Sequence, residues 1–378
     1  MTASLIPLHE VDEEFVRQWS NLAQHCIEPN VFFDPTMTIA ASSLPGTPIV
    51  ELLIVRNQGY LSLLVPIVRE RSYRRIPAKT LRVWKHDYSS LGNPLLSPDT
   101  PVDALEAALR FLMEEKVATM FVLESFGVEG SVADALRAAL TRLGMRSSSL
   151  LTHSREAVLN RRGPDETQHG LSDSTVKNYR KSRRRLERRL GGEVKMVDVA
   201  NSPDLDKAVE AFLKAEASGW KGTDGGAFAC RPGHADFFRS LCRNFASEGK
   251  LQFNIFGSTD TPVAFLCNMI AQDRVFCFKM AFDEEYRQFS PGSVAEFEEL
   301  IEFHDQTKLS SMDSCRESKY PRRHHLFPDS LTITTLLIPL GAHGRVATRG
   351  VPIANAVGRR LRSWKEELHK RTLWKKRR

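Results

Sequence analysis

Between Arg274 and Gln306 the chain passes from an apolar run, through a polar turn holding Pro291-Gly292, into an amphipathic stretch from Ser293 onward. The spacing predicts a strand, a tight turn and a helix opened by Ser293. The first amides of a helix have no partner within it, and the helix dipole adds to them, so such a corner binds anions. Many acyl carriers end in a pyrophosphate, which makes this turn the first candidate for a cofactor site. Two other features bear on chemistry. Trp220 and Lys221 lie in the glycine-rich run Gly219-Trp220-Lys221-Gly222-Thr223-Asp224-Gly225-Gly226, and a large aromatic beside a cation on a loop suits closure over a substrate. Lys279 alternates with Phe278 and Met280, so strand periodicity points it away from both, toward either a ligand anion or solvent.

The elements around these residues follow from pattern. A helix is expected over 11–27, and two strands over 48–56 and 60–69 joined at Asn57-Gln58-Gly59. Asn30 to Pro35 reads as a turn. Helices are expected over 101–115 and 131–143, with strands near 81–85, 119–124 and 146–159. Residues 160–175 are polar and read as a linker, followed by a basic helix capped by Ser172 or Ser174 and stopped at Gly191-Gly192. Helices over 203–217 and 234–247 precede a three-strand meander at 251–256, 262–270 and 274–282. After the helix at 293–306, strands are expected at 309–313 and 331–338, and a basic helix from about 353. Each half has a helix, a hairpin, a loop, a helix and further strands, so the class is α+β (mixed α/β) with a structural duplication.

The 378 residues are too many for one ordinary core, and 42% apolar with 26% charged residues is a globular composition. No apolar run approaches the roughly 20 residues of a membrane span, and no secretory signal is read at the N-terminus. Cys26, Cys230, Cys242, Cys267, Cys277 and Cys315 are scattered, as reduced thiols of a cytoplasmic protein would be, and no His/Cys set has metal-ligand spacing. The net charge of +7 is local: residues 177–189 hold eight basic side chains and one acid, and residues 359–378 hold ten and two. The remainder is net acidic, so composition alone does not make the chain a nucleic-acid binder, and nucleic acid is not the expected partner.

Five islands in order resemble the bacterial BioF2-like, CelD-type acyltransferase family of the GNAT superfamily, related to FemX-type aminoacyltransferases. They are Trp84-Lys85-His86-Asp87-Tyr88-Ser89 with Gly92-Asn93-Pro94; Leu186-Glu187-Arg188-Arg189-Leu190-Gly191-Gly192; Ser218-Gly219-Trp220-Lys221-Gly222; Lys279-Met280-Ala281-Phe282-Asp283 with Ser290-Pro291-Gly292; and Met312-Asp313-Ser314-Cys315. The resemblance implies two tandem GNAT-like lobes, each a mixed sheet flanked by helices: residues 1–160, a linker at 161–175, a donor-binding lobe at 176–340, and a basic tail at 341–378.

It further implies acyl transfer from acyl-CoA, acetyl-CoA first among them, to an amine on a sugar or small metabolite, in polysaccharide or envelope biosynthesis and without a metal. Arg287-Gln288-Phe289-Ser290-Pro291-Gly292 follows the superfamily's phosphate turn with Ser290 in place of its first glycine, so Arg287, Gln288, Ser290, Gly292 and Ser293 are the expected donor contacts. Direct transfer needs a base for the amine and an acid for the leaving thiolate; Asp283 and Glu317 are the candidate bases, and Tyr286 and Tyr320 the candidate acids. Trp220, Lys221 and Lys279 are the expected acceptor contacts, in a cleft between the lobes. The alternatives are aminoacyl transfer from a charged tRNA along the basic helix, and an accessory protein that keeps the fold without the chemistry. The tail, with Trp364 and Trp374 among cations, would hold the enzyme at an anionic membrane surface on the cytoplasmic side.

Overall fold

The computed structural model describes residues 1–162, 171–258, 260–305, 309–316 and 326–356. The first half of the chain forms β1 (Thr2–Pro7), α1 (Glu13–His25), α2 (Pro35–Ser42), β2 (Glu51–Asn57), β3 (Tyr60–Glu70), β4 (Thr80–Val83), β5 (Leu95–Leu96), α3 (Pro101–Glu114), β6 (Met120–Gly127), α4 (Ser131–Arg142) and β7 (Ser148–Val158). The second forms α5 (Asp173–Leu190), β8 (Lys195–Asp198), α6 (Leu205–Ser218), α7 (Trp220–Thr223), α8 (His234–Ser247), β9 (Leu251–Ser258), β10 (Thr261–Ala271), β11 (Arg274–Phe282), α9 (Pro291–Asp305), β12 (Ser311–Asp313) and β13 (Asp329–Pro339).

Local chemistry explains most boundaries. The β2–β3 hairpin turns on Gln58 (φ 49°) and Gly59 (φ 89°), two consecutive left-handed residues as a two-residue hairpin requires. The Ser172 hydroxyl accepts from the Thr175 amide at 3.3 Å to start α5, and Gly191 (φ 73°) ends it. Strands β1 and β5 and helices α2 and α7 escape the sequence pattern. Strand β1 lies at the sheet edge with no fully buried residue, so it lacks a clean alternation. Helix α2 is started by Asp34, whose carboxylate accepts from the Thr36 amide, and by Pro35 at its first position.

All strands join one mixed sheet in the order β1-β2-β3-β4-β6-β13-β7-β12-β11-β10-β9-β8, with β5 beside β3. Each half repeats one arrangement. Four antiparallel strands (β1-β2-β3-β4, or β8-β9-β10-β11) end against a parallel fifth, β6 or β12. Both parallel pairings are short: Thr80–Arg82 with Met120–Val122, and Arg274–Phe276 with Ser311–Asp313. Strand β7 pairs with both β13 and β12 and so joins the halves, while β13, last in sequence, inserts between β6 and β7. The sheet therefore runs across the boundary expected near residue 160. In the second half, Phe253, Phe265 and Phe276 pack with α6 and α8, and Val263, Leu266 and Val275 pack with α5 and α9 on the opposite face.

The expected basic tail begins as structure. Residues 342–356 are helical, with Val351 buried and the Asn355 side-chain oxygen accepting from Arg74 at 3.0 Å. The tail's tryptophans lie outside the described residues, as do Glu317 and Tyr320. Among the described residues no helix is long and apolar enough to cross a membrane.

Beyond the short parallel pairing the two halves differ. After β4 the chain loops back and lays Gly92 against β6, where its amide donates to the Ser125 carbonyl at 2.9 Å and Gly127 donates to the Asn93 side-chain oxygen at 2.8 Å. A Cβ on Gly92 would fall 1.9 Å from the Glu124 carbonyl oxygen. Gly92→Ala should therefore pull this loop off β6 and cost roughly 2–4 kcal/mol, the range of severe backbone and packing clashes. Urea unfolding of the variant checks this, and an unchanged midpoint would contradict it.

Candidate active site between the halves

Among the described residues of the second half, no segment following β11 is laid against β12 as Gly92 is against β6; the first half's loop reaches there instead, with the Ser90 hydroxyl donating to Cys315 O at 3.2 Å. Strand β11 is nine residues long and bonds β10 along its whole length. It bonds β12 only through Arg274–Phe276, so the edge from Cys277 to Phe282 has no strand beside it on that side among the described residues.

A corner follows at the end of β11. The Asp283 carboxylate accepts from the Glu285 amide at 3.0 Å and starts a 3-10 turn over Glu284–Phe289. Ser290 closes the turn in the left-handed region (φ 52°, ψ 52°), donating its amide to Arg287 O at 3.0 Å and accepting from the Val294 amide at 3.1 Å. The serine thus stands in a conformation that glycine adopts without strain. Helix α9 begins at Pro291, two residues before the expected Ser293, because proline fits a first helical position where no donor is needed. The helical pattern leaves the Gly292 and Ser293 amides without an intrahelical acceptor. Gly292 is buried on β11: a Cβ there would meet Met280 Sδ at 3.1 Å and Phe282 Cδ1 at 3.2 Å. The absent side chain lets the helix start sit directly on the strand with the open edge. Arg287 and Gln288 are exposed at the rim, Arg287 with Glu284 3.8 Å away.

Lys279 faces the first half of the chain. A bulge between Cys267 and Asn268 on the β10 register leaves Phe278 unopposed on β11, which breaks the alternation. Lys279 therefore shares the face of Phe278, contrary to the strand periodicity. Its ammonium lies 4.7 Å from the ring centre of Tyr88, 5.4 Å from Phe228 and 5.6 Å from Phe278. Tyr88 belongs to the loop that fills the first half's gap, so one loop closes one opening and walls the other. Its hydroxyl bonds His234 Nδ1, and Asp87 beside it pairs with Arg231. Burial holds the Tyr88 phenol above its usual range and pushes His86 down to about 3, so both are neutral. Deeper in, Arg155 and Asp313 form a buried pair at 2.6 Å. Arg155 also donates to Ser90 O at 2.6 Å, and Asp313 accepts from the Cys315 amide at 2.8 Å. Burial raises the Cys315 thiol well above its ordinary value, which keeps it from acting as a thiolate nucleophile.

The glycine-rich segment is a bonded turn, not the expected flexible loop. Lys221 Nζ donates to Glu216 Oε1 and to Met280 O, both at 3.1 Å, and the second Glu216 oxygen accepts from the Phe228 amide at 2.9 Å. Lys221 thus pins α7 to β11, while Trp220 stays half-exposed beside it. Tyr286 is buried with the α5–α9 cluster, on the other face of the sheet from Lys279, with Arg189 stacked over its ring at 5.8 Å. Lys279, Lys221 and the 287–293 corner thus all meet β11, Lys279 on the face of Phe278, and Gly292, together with Tyr286, on the opposite face of Met280 and Phe282. Sequence reading misses His234, Arg231 and Arg155, which meet Tyr88, Asp87 and Asp313 over separations of 146, 144 and 158 residues.

Residues 173–320 match the family model of the acetyltransferase (GNAT) domain. That stretch holds the corner, β11 and the basic helix. No curated protein matches the chain. Among solved structures, FemX superposes with a TM-score of 0.57 at 8% identity, covering 89% of this chain and 97% of that one. A conserved protein of unknown function from Bacteroides thetaiotaomicron gives 0.55 at 12%, covering 88% and 98%. A C-terminal DUF2156 domain from Agrobacterium fabrum gives 0.51 at 12%, covering 91% and 96%. At such identities the likeness is one of fold, and it extends over both halves.

One buried group on α9 yields a pH dependence. Glu299 lies between the helix and the sheet, where its Oε1 accepts from Asn268 at 2.6 Å and Asn254 at 2.9 Å, and burial pushes its carboxyl up to about 7. The folded state then holds a proton that the unfolded state releases near its ordinary value of 4.5, so this residue's contribution falls as pH rises from 4.5 to 7. Glu299→Gln keeps an acceptor and removes the titration. Its stability relative to the parent should rise by on the order of 3 kcal/mol between pH 5 and pH 8. Melting curves at the two pH values check this, and a pH-independent difference would contradict it.

Proposed function

We propose that the protein is an N-acyltransferase that takes an acyl group from acyl-CoA, acetyl-CoA being the simplest case, and passes it to an amine held between the two halves. The observation that carries this reading is the open edge of β11 lying directly beneath the start of α9. Apart from Met280 O, which Lys221 already occupies, the edge offers main-chain donors and acceptors to the amides of a pantetheine arm, as a sheet edge does to an added strand. The Gly292 and Ser293 amides, helped by the helix dipole, suit its pyrophosphate. Ser290 supplies the turn that aims them, and Arg287 and Gln288 stand at the rim.

The acceptor side follows from charge. Lys279, held against three rings, is oriented toward the loop Asp87–Ser90 and suits a carboxylate or phosphate on the acceptor; Trp220 adds an apolar surface near the donor corner. In this reading Lys221 positions β11 through Met280, and Asp283 and Tyr286 shape the donor turn from beneath. The acceptor is a small molecule or sugar amine.

Acetyl-CoA at a hundred times its Kd should stabilise the protein by about 2.7 kcal/mol, visible as a rise in Tm. Gly292→Val would drive a branched side chain into Met280 and Phe282, lift α9 from the strand and remove that rise while a cooperative melt persists. If acetyl-CoA leaves the parent protein's Tm unchanged while aminoacyl-tRNA raises it, the donor is an aminoacyl ester and the proposal fails.

A further inference from the structure

Helix α5 carries more positive charge than its packing uses. Val176, Tyr179 and Leu186 are buried against α9, where Tyr179 stacks on Phe297 with centroids 4.8 Å apart. On the outer side Lys177, Lys181, Arg184 and Arg188 follow one another at spacings of four, three and four residues and are all exposed, which makes a single stripe. At 1.5 Å per residue it is about 16 Å long. The helix lies on the donor corner: the Arg185 guanidinium stacks over Phe289 at 5.5 Å, and Arg189 stacks over Tyr286 and pairs with Glu285 at 3.0 Å. The helix that bears the stripe thus borders the corner that holds Gly292 and Ser293, touching it through Arg185 and Arg189.

Resting on the donor reading above, we propose that a small acidic carrier protein bearing the acyl group on a phosphopantetheine arm also serves as donor, and that the α5 stripe is its docking surface. The arm and its phosphate need the features already assigned to coenzyme A: a strand edge for the amides and a helix start for the phosphate. What coenzyme A does not need is a stripe of four cations running along α5 beyond the corner, a length that a nucleotide cannot follow. An acidic helix of a carrier protein can. A tRNA acceptor end would match the charge, but it has no amide-bearing arm to pair with β11. Complementary charge of this kind accelerates and orients association and weakens with salt. The transfer breaks the thioester carbon–sulfur bond and forms the amide carbon–nitrogen bond; the amine gives up a proton, and the arm leaves as a thiol.

The test measures binding of an octanoyl-loaded acyl carrier protein, its apo form without the arm, acetyl-CoA and total tRNA to the full chain and to the double variant Lys181→Glu/Arg188→Glu. The expected result is that the loaded carrier binds at least tenfold more tightly than the apo form and loses at least tenfold on charge reversal, while acetyl-CoA binding stays within twofold. Carrier binding that is indifferent to the reversal, or tRNA binding that the reversal abolishes while the loaded carrier fails to bind, overturns this inference. Acetyl-CoA binding with no carrier binding overturns it but spares the donor reading; loss of both defeats both.

Discussion

A nine-residue strand that is hydrogen-bonded along one edge and through only three residues of the other leaves main-chain donors and acceptors for other groups to satisfy, and Lys221 already takes one of them, Met280 O. In β11 that requirement falls where α9 begins, with further unpaired amides and a positive dipole end. Donor binding depends on this coincidence, and Gly292 makes it geometrically feasible by letting the helix start rest on Met280 and Phe282.

The duplicated architecture supplies an internal comparison. Both halves have a short parallel pairing from which the strands then part. In the first half the chain fills the opening itself, with Gly92 and Asn93 bonded to β6, and the same loop carries Tyr88 across to Lys279. One copy of the fold has become a wall for the other. The buried pair of Arg155, at the strand joining the halves, with Asp313, at the end of the short parallel strand, fixes that wall in place. Breaking such a pair by removing one partner is costly because it strands a buried charge, so the wall and the opening are tied in one arrangement.

Much of this frame is legible in the sequence. The amphipathic helices α3, α4, α6 and α8, the β2–β3 hairpin and the β9–β11 meander follow from periodicity and turn residues, and the basic helix lies between the cap and stop that Ser172 and Gly191 announce. The corner's shape is legible because a Pro-Gly pair between an apolar run and an amphipathic stretch marks a turn followed by a helix start. What the sequence hides is long-range or local in a way that averages out. The bulge at Phe278 reverses the face of Lys279, since a period of two cannot register an extra residue. The partnerships of Tyr88 with His234 and of Arg155 with Asp313 leave no trace in spacing. Lys221 reads as a cation on a loop and is bonded to Glu216 and Met280, and Tyr286 reads as a candidate acid and is buried under α5.

Amide hydrogen exchange with and without acetyl-CoA tests the central claim most directly. Binding should slow exchange in Cys277–Phe282 and Gly292–Val294 and leave the matching segment of the first half, residues 84–94, unchanged. Protection confined to residues 84–94, or no change along β11 when the ligand is bound, would contradict it.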